Sequence, residues 1–173
     1  MSRIVRTLVV ALTGLAIFAP AVPAGAAEFH AAEFHRERPT TVFVTGDAPG
    51  EAEKPAPERS VQVAVPAWRY YITASCASRA AEIRRGAAYW GNGVETTGSG
   101  TPVGCTSGYV TGCGAARAVG CNWGRGQRIM LSTMVRDFAL LAAHEFGHNW
   151  YGHSGTGCAS WTNANTVMRT NMC

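Results

Sequence analysis

Residues 138–153 read FALLAAHEFGHNWYGH, and the fold turns on the histidine spacing inside that stretch. Phe138, Leu141 and Ala142 recur at helical spacing ahead of His144, so the segment reads as a helix with an apolar core side. Ser132 or Thr133 stands where an N-cap belongs, and the helix is expected to run to Trp150 and stop at Gly152. On such a helix residues four apart lie one above the other, so His144 and His148 point together and can share one metal ion. Glu145 is adjacent to the first histidine, placed to handle the proton of a metal-activated water without being a ligand.

A zinc ion used for chemistry takes three protein ligands and keeps one position open. No Asp or Glu follows Glu145, and the one histidine beyond His148 is His153, just past a glycine that can turn the chain back. His153 is therefore the expected third ligand. Three histidines and a carboxylate favour an open catalytic site over a closed four-ligand structural one.

Outward from this stretch, the N-terminus reads as a secretory signal peptide over residues 1–26. Arg3 and Arg6 precede an apolar run from Leu8 to Phe18, and Ala24-Gly25-Ala26 supplies small residues before a cut at Ala27. The run is too short to span a membrane comfortably, and no other segment could cross one. Residues 27–60 carry seven acids, four basic residues, four prolines and no cysteine, so they read as a prosegment or disordered linker. Ala26–His30 and Ala31–His35 repeat the same five residues, read as a local duplication. Residues 61–173 hold nine arginines against four acids, all six cysteines and all five tryptophans, and are expected to be the folded domain. Their positive charge lacks the aromatic interleaving of a nucleic-acid site.

Cys76, Cys105, Cys113, Cys121, Cys158 and Cys173 form an even set with no CxxC pair, which in a secreted chain implies three disulfides. Cys158 with Cys173 is the preferred pair, since both lie beyond the proposed metal site. Val61–Val65 and Trp68–Thr73 have strand composition. Cys76–Trp90 reads as a first helix capped by Ser75, with Ala80, Ile83, Ala87 and Trp90 on one face. Residues 91–126 are expected to form short strands and loops, and Gln127–Ser132 a strand with Ile129 and Leu131 on one side and Met130 on the other. Trp150 and Tyr151 fit either a substrate cleft or core packing at the helix end.

His144-Glu145-Phe146-Gly147-His148 followed by Gly152-His153-Ser154 resembles the metzincin signature in its matrixin form, and the chain is most similar to small secreted snapalysin-type actinobacterial neutral proteases. The resemblance spans residues 68–173, and its specific part is 144–153. It departs from the family at the third ligand, which falls five residues after His148 rather than six, with Tyr151 where the family has Gly and His153 where snapalysins are expected to use Asp. The resemblance implies a methionine turn beneath the metal, matched by Met168 and more weakly by Met172. It also implies an edge strand that pairs with substrate, assigned to Gln127–Leu131. No Tyr follows Tyr151, so an oxyanion-stabilising Tyr after that Met is missing.

The expected fold is thus α+β, a zincin-like domain with a small mixed sheet, an active-site helix and a disulfide-held C-terminal tail. The expected function is secreted zinc endopeptidase, with one Zn2+, a monomeric chain, protein or peptide substrates, and no nucleic-acid or membrane partner after signal removal. Whether Ca2+ binds is not readable. The alternatives are a secreted disulfide-rich binding module with a structural or vestigial metal site, and a zinc amidase or related hydrolase using the same ligands.

Overall fold

The computed structural model describes residues 42–46 and 65–173. The proposed signal peptide, the five-residue repeat and most of the proposed prosegment lie outside the described residues, as does Val61–Val65 except for Val65, which is buried but not in a strand. In chain order the elements are β1 (Phe43–Val44), β2 (Trp68–Ile72), a 3-10 turn (Ala74–Arg79), α1 (Ala80–Trp90), β3 (Gly93–Glu95), β4 (Thr101–Thr106), β5 (Gly120–Trp123), β6 (Arg128–Ser132), α2 (Phe138–Gly147), α3 (Ala164–Val167) and β7 (Asn171–Met172). Among the described residues no helix is long and apolar enough to cross a membrane.

The architecture is mixed α+β. Five strands form one sheet in the order β3-β2-β4-β6-β5. β2 pairs in parallel with β3 and β4, β4 pairs in parallel with β6, and β5 closes the sheet antiparallel to β6. A second, two-stranded sheet joins β1 to β7 antiparallel. Parallel neighbours need a crossover, and α1 supplies it between β2 and β3. Its buried face is Ile83, Gly86, Ala87 and Trp90, as the helical spacing predicts apart from half-buried Ala80. The helix ends at Gly91, whose φ of 67° is cheap for a residue without Cβ.

α2 is buried along all ten residues, so it is a central helix rather than a two-faced surface one. It packs on α1 at Gly86, where an added Cβ would stand 2.7 Å from Ala143 N and 2.8 Å from Ala139 O. Trp90 Nε1 donates to Ala143 O at 2.6 Å, a second tie between the helices. Against the sheet, the Phe146 ring meets Trp68 and Tyr70 at centroid distances of 4.7 and 5.2 Å. Ile129 and Leu131 face this core, while Met130 packs on the opposite side with a smaller cluster of Val110, Cys113, Ala118 and Cys121.

The disulfides are Cys76–Cys105, Cys113–Cys121 and Cys158–Cys173. The expected terminal pair is present, and closing its 15-residue separation is worth about 3 kcal/mol on a loop-entropy account. Three bridges point to an extracellular or otherwise oxidising compartment.

Several expectations need correction. Ser75 does not cap α1. The chain enters through a 3-10 turn, and the Ser75 hydroxyl instead accepts from Cys105 N. α2 is capped by the Asp137 carboxylate accepting from Leu140 N, not by Ser132 or Thr133, because Ser132 ends β6 and residues 133–137 form the turn into the helix. α2 stops at Gly147, five residues before Gly152, where Asn149, Trp150 and Tyr151 turn back onto the carbonyls of Phe146 and Gly147. β6 is not the edge strand: it lies between β4 and β5, so the edge position belongs to β5. Residues 42–46, inside the segment read as prosegment or disordered linker, are part of the fold through β1.

The tight α1–α2 contact predicts that Gly86→Ala, which places a methyl against backbone atoms, costs about 1–3 kcal/mol. A thermal melt reads this as a lowered midpoint, and an unchanged midpoint would contradict the contact.

Candidate metal centre

His144 and His148 lie at the end of α2, and His153 lies in the loop beyond it. One ligand atom from each falls within 4.8 Å of the others. The contacts are closer in detail. His144 Nε2 is 3.0 Å from His148 Nε2 and 3.2 Å from His153 Nε2. Nitrogens bound at about 2.0–2.1 Å around a tetrahedral zinc stand about 3.3 Å apart, so these separations fit one ion.

Tautomers follow from the opposite ring atoms. His144 Nδ1 is 2.7 Å from Val167 O, and His148 Nδ1 is 2.9 Å from Tyr151 O. A carbonyl can only accept, so both Nδ1 atoms carry the proton and both Nε2 atoms present lone pairs. Two lone pairs aimed at each other across 3.0 Å repel unless a cation lies between them. The donor set is therefore suited to a metal ion such as zinc, with Nδ1–H held by backbone carbonyls as outer-shell support. His144 is fully buried, and burial, with the neighbouring His148 and His153, holds its pKa well below the ordinary imidazole value, keeping it neutral and ligand-ready.

The same tail segment that receives His144 also fixes the loop. Val167 O accepts from His144 Nδ1, and the next residue's carbonyl, Met168 O, accepts from Ser154 N at 3.0 Å. The Ser154 hydroxyl donates to Asn165 O. Met168 is fully buried, and a Cβ on Gly147 would sit 2.3 Å from its sulfur. Its side chain thus packs against the turn of helix between the two histidines. Met172 is also buried, but in β7. Trp150 and Tyr151 serve packing: Tyr151 stacks on Trp90 at 5.6 Å, and Trp150 meets the Trp68 ring edge-on.

Glu145 is fully buried beside β5, and an added Cβ on Gly120 would stand 2.0 Å from its Oε1. Only glycine at this point of the edge strand leaves room for the carboxylate. Asn122, which sequence reasoning missed, ties the same strand to the helix. Its Nδ2 donates to Glu145 O at 2.7 Å and Asn149 Oδ1 at 2.8 Å, while its Oδ1 accepts from Gly126 N. The available signal was an asparagine in a strand, where that residue is depleted.

His153→Ala should lower zinc affinity by more than the 10–100-fold typical of outer-shell changes, measured by chelator competition; unchanged affinity would remove His153 from the ligand set. The metal-free protein should also respond to acid. The folded state holds His144 below its unfolded pKa of 6.5, so under that pH the unfolded chain binds more protons and stability falls as pH drops. Melting of the metal-free protein at about pH 7.5 and 5.5 tests the sign, and equal midpoints would contradict it. Comparison with protein-family models, curated proteins and solved structures finds no match to this chain.

Proposed function

We propose that the chain is a secreted zinc-dependent endopeptidase. The observation that supports this reading is the convergence of the His144, His148 and His153 Nε2 atoms, three candidate ligands rather than four among the described residues, with the buried Glu145 next in the chain to His144. Bound there, a zinc ion supplies an activated water at neutral pH and a Lewis acid for a carbonyl oxygen.

The chain's own groups do the rest. Glu145 takes the proton of the attacking water and returns it to the leaving amine. Gly120 keeps space for that carboxylate, and Asn122 holds the strand and helix in register around it. β5 is the edge of the sheet next to this site, which suits an extended peptide pairing by backbone hydrogen bonds. That substrate role, assigned from sequence to Gln127–Leu131, passes to β5 because β6 is enclosed. The resemblance to metzincins supports the same reading. The turn to His153, one residue shorter than the family's, is accommodated by the early end of α2 at Gly147.

Glu145→Gln should retain zinc and lose peptide hydrolysis by about 10²–10⁴-fold. Purified protein with casein, with and without a chelator and with metal analysis of both forms, makes the test. Chelator-sensitive release of peptides is the expected result, and full activity in the Gln variant or in the metal-free protein would overturn the mechanism. Activity confined to non-peptide amides would point instead to the amidase alternative.

A further inference from the structure

The sheet has a second face, turned away from the metal centre. Along β5, Gly120 and Asn122 meet α2 at Glu145, so the alternate residues Cys121 and Trp123 point to the other side. Their partners on β6, Met130 and Arg128, share that face. Trp123, Arg128 and Met130, with Thr106 at the end of β4 and the loop at Tyr109–Thr111, line a cavity of about 240 Å³. Its walls are held in place by the fold. The Cys113–Cys121 disulfide, Val110 N donating to Ala118 O at 2.7 Å and Trp123 Nε1 donating to Gly112 O at 3.0 Å tie the loop to β5 and the residues before it.

Arg128 lies over Trp123, its Cζ 3.9 Å from the ring centroid. Stacking occupies the flat face of the guanidinium and leaves the N–H groups at its edge free to donate. Among the described residues no acid pairs with it. Glu82, Glu95 and Asp137 pair with Arg79, Arg84 and Arg85, and Glu145 is buried on the opposite side of the sheet. The sequence around the cavity offers no acid either: residues 96–136 contain Arg117, Arg125, Arg128 and Arg136 and no Asp or Glu. Thr106 Oγ1 accepts from Gly108 N at 3.3 Å, which leaves its own proton to donate. Val110 and Met130 supply apolar wall.

We propose that this cavity is a binding site for a carboxylate carried on a small apolar body, held by the edge of the Arg128 guanidinium and by the Thr106 hydroxyl. The planar fork of an arginine matches a carboxylate through two parallel hydrogen bonds. One guanidinium balances one negative charge, which favours a carboxylate over a phosphate carrying nearly two. The volume is below the roughly 300–1,000 Å³ usual for drug-sized ligands, so it admits a small organic acid or one acidic residue of a peptide. The site lies across the sheet from the three histidines and is independent of the endopeptidase reading.

Metal-free full chain is titrated with benzoate, with benzamide as its uncharged counterpart, with a blocked peptide holding one Glu, and with inorganic phosphate. Binding is read by calorimetry and at the indole N–H signal of Trp123 in a proton–nitrogen NMR spectrum, assigned by its loss in Trp123→Phe. Benzoate, the Glu peptide or both should move that signal, and which of them does so distinguishes a free acid from a peptide residue as the source. Arg128→Gln should weaken the binding at least about tenfold. Thr111→Phe, at an exposed position on the cavity wall, should weaken it as much by filling the space while leaving Arg128 in place, so a folding defect at Arg128 does not decide the test. Undiminished binding in either variant, benzamide binding as well as benzoate, phosphate binding more tightly than any carboxylate, or no carboxylate moving the Trp123 signal overturns the proposal.

Discussion

The structure depends on the direction of two imidazole protons. Val167 O and Tyr151 O each accept a hydrogen bond from a Nδ1–H, and this leaves the Nε2 lone pairs of His144 and His148 facing each other. Everything around the site maintains that arrangement. The carbonyl of Val167 belongs to the C-terminal tail, within the segment closed by the Cys158–Cys173 disulfide. The carbonyl of Tyr151 belongs to the turn that follows α2, and Tyr151 itself is fixed by stacking on Trp90 of α1. A cluster suited to a cation is thereby built at the end of a buried helix and the loop that follows it.

Burying that helix completely demands small residues where backbones or sulfur approach it. Gly86 admits α1, Gly120 admits the Glu145 carboxylate, and Gly147 admits the Met168 sulfur. Gly86 lies on α1, Gly120 on β5 and Gly147 on α2 itself, which explains why so glycine-rich a chain still packs a dense core. Asn122 supplies the matching polar tie, linking the edge strand to the backbone of Glu145 and the side chain of Asn149.

Much of this was legible in the sequence where the signal was local. The i, i+4 histidines, the isolated His153, the face of α1 and the split of Ile129 and Leu131 from Met130 all follow from spacing. What was not legible required distant partners. β5 reads GCNW, with no alternation, and becomes the edge strand only through pairing with β6. Asp137 caps α2 because the chain turns after β6, a choice that propensity does not separate from Ser132 or Thr133. Residues 42–46 carry a strand-like VFVT run, but the acidic, proline-rich composition around them hid it when residues 27–60 were averaged. The early stop of α2 reflects Tyr151 and Trp150 finding tryptophans elsewhere in the fold, which no local pattern encodes.

The central claim is that three histidine Nε2 atoms bind one metal ion. X-ray absorption of the zinc-loaded full chain addresses it directly. The account predicts three imidazole nitrogens at about 2.0–2.1 Å and no sulfur neighbour. A sulfur shell near about 2.3 Å, or fewer than three imidazoles, would contradict it.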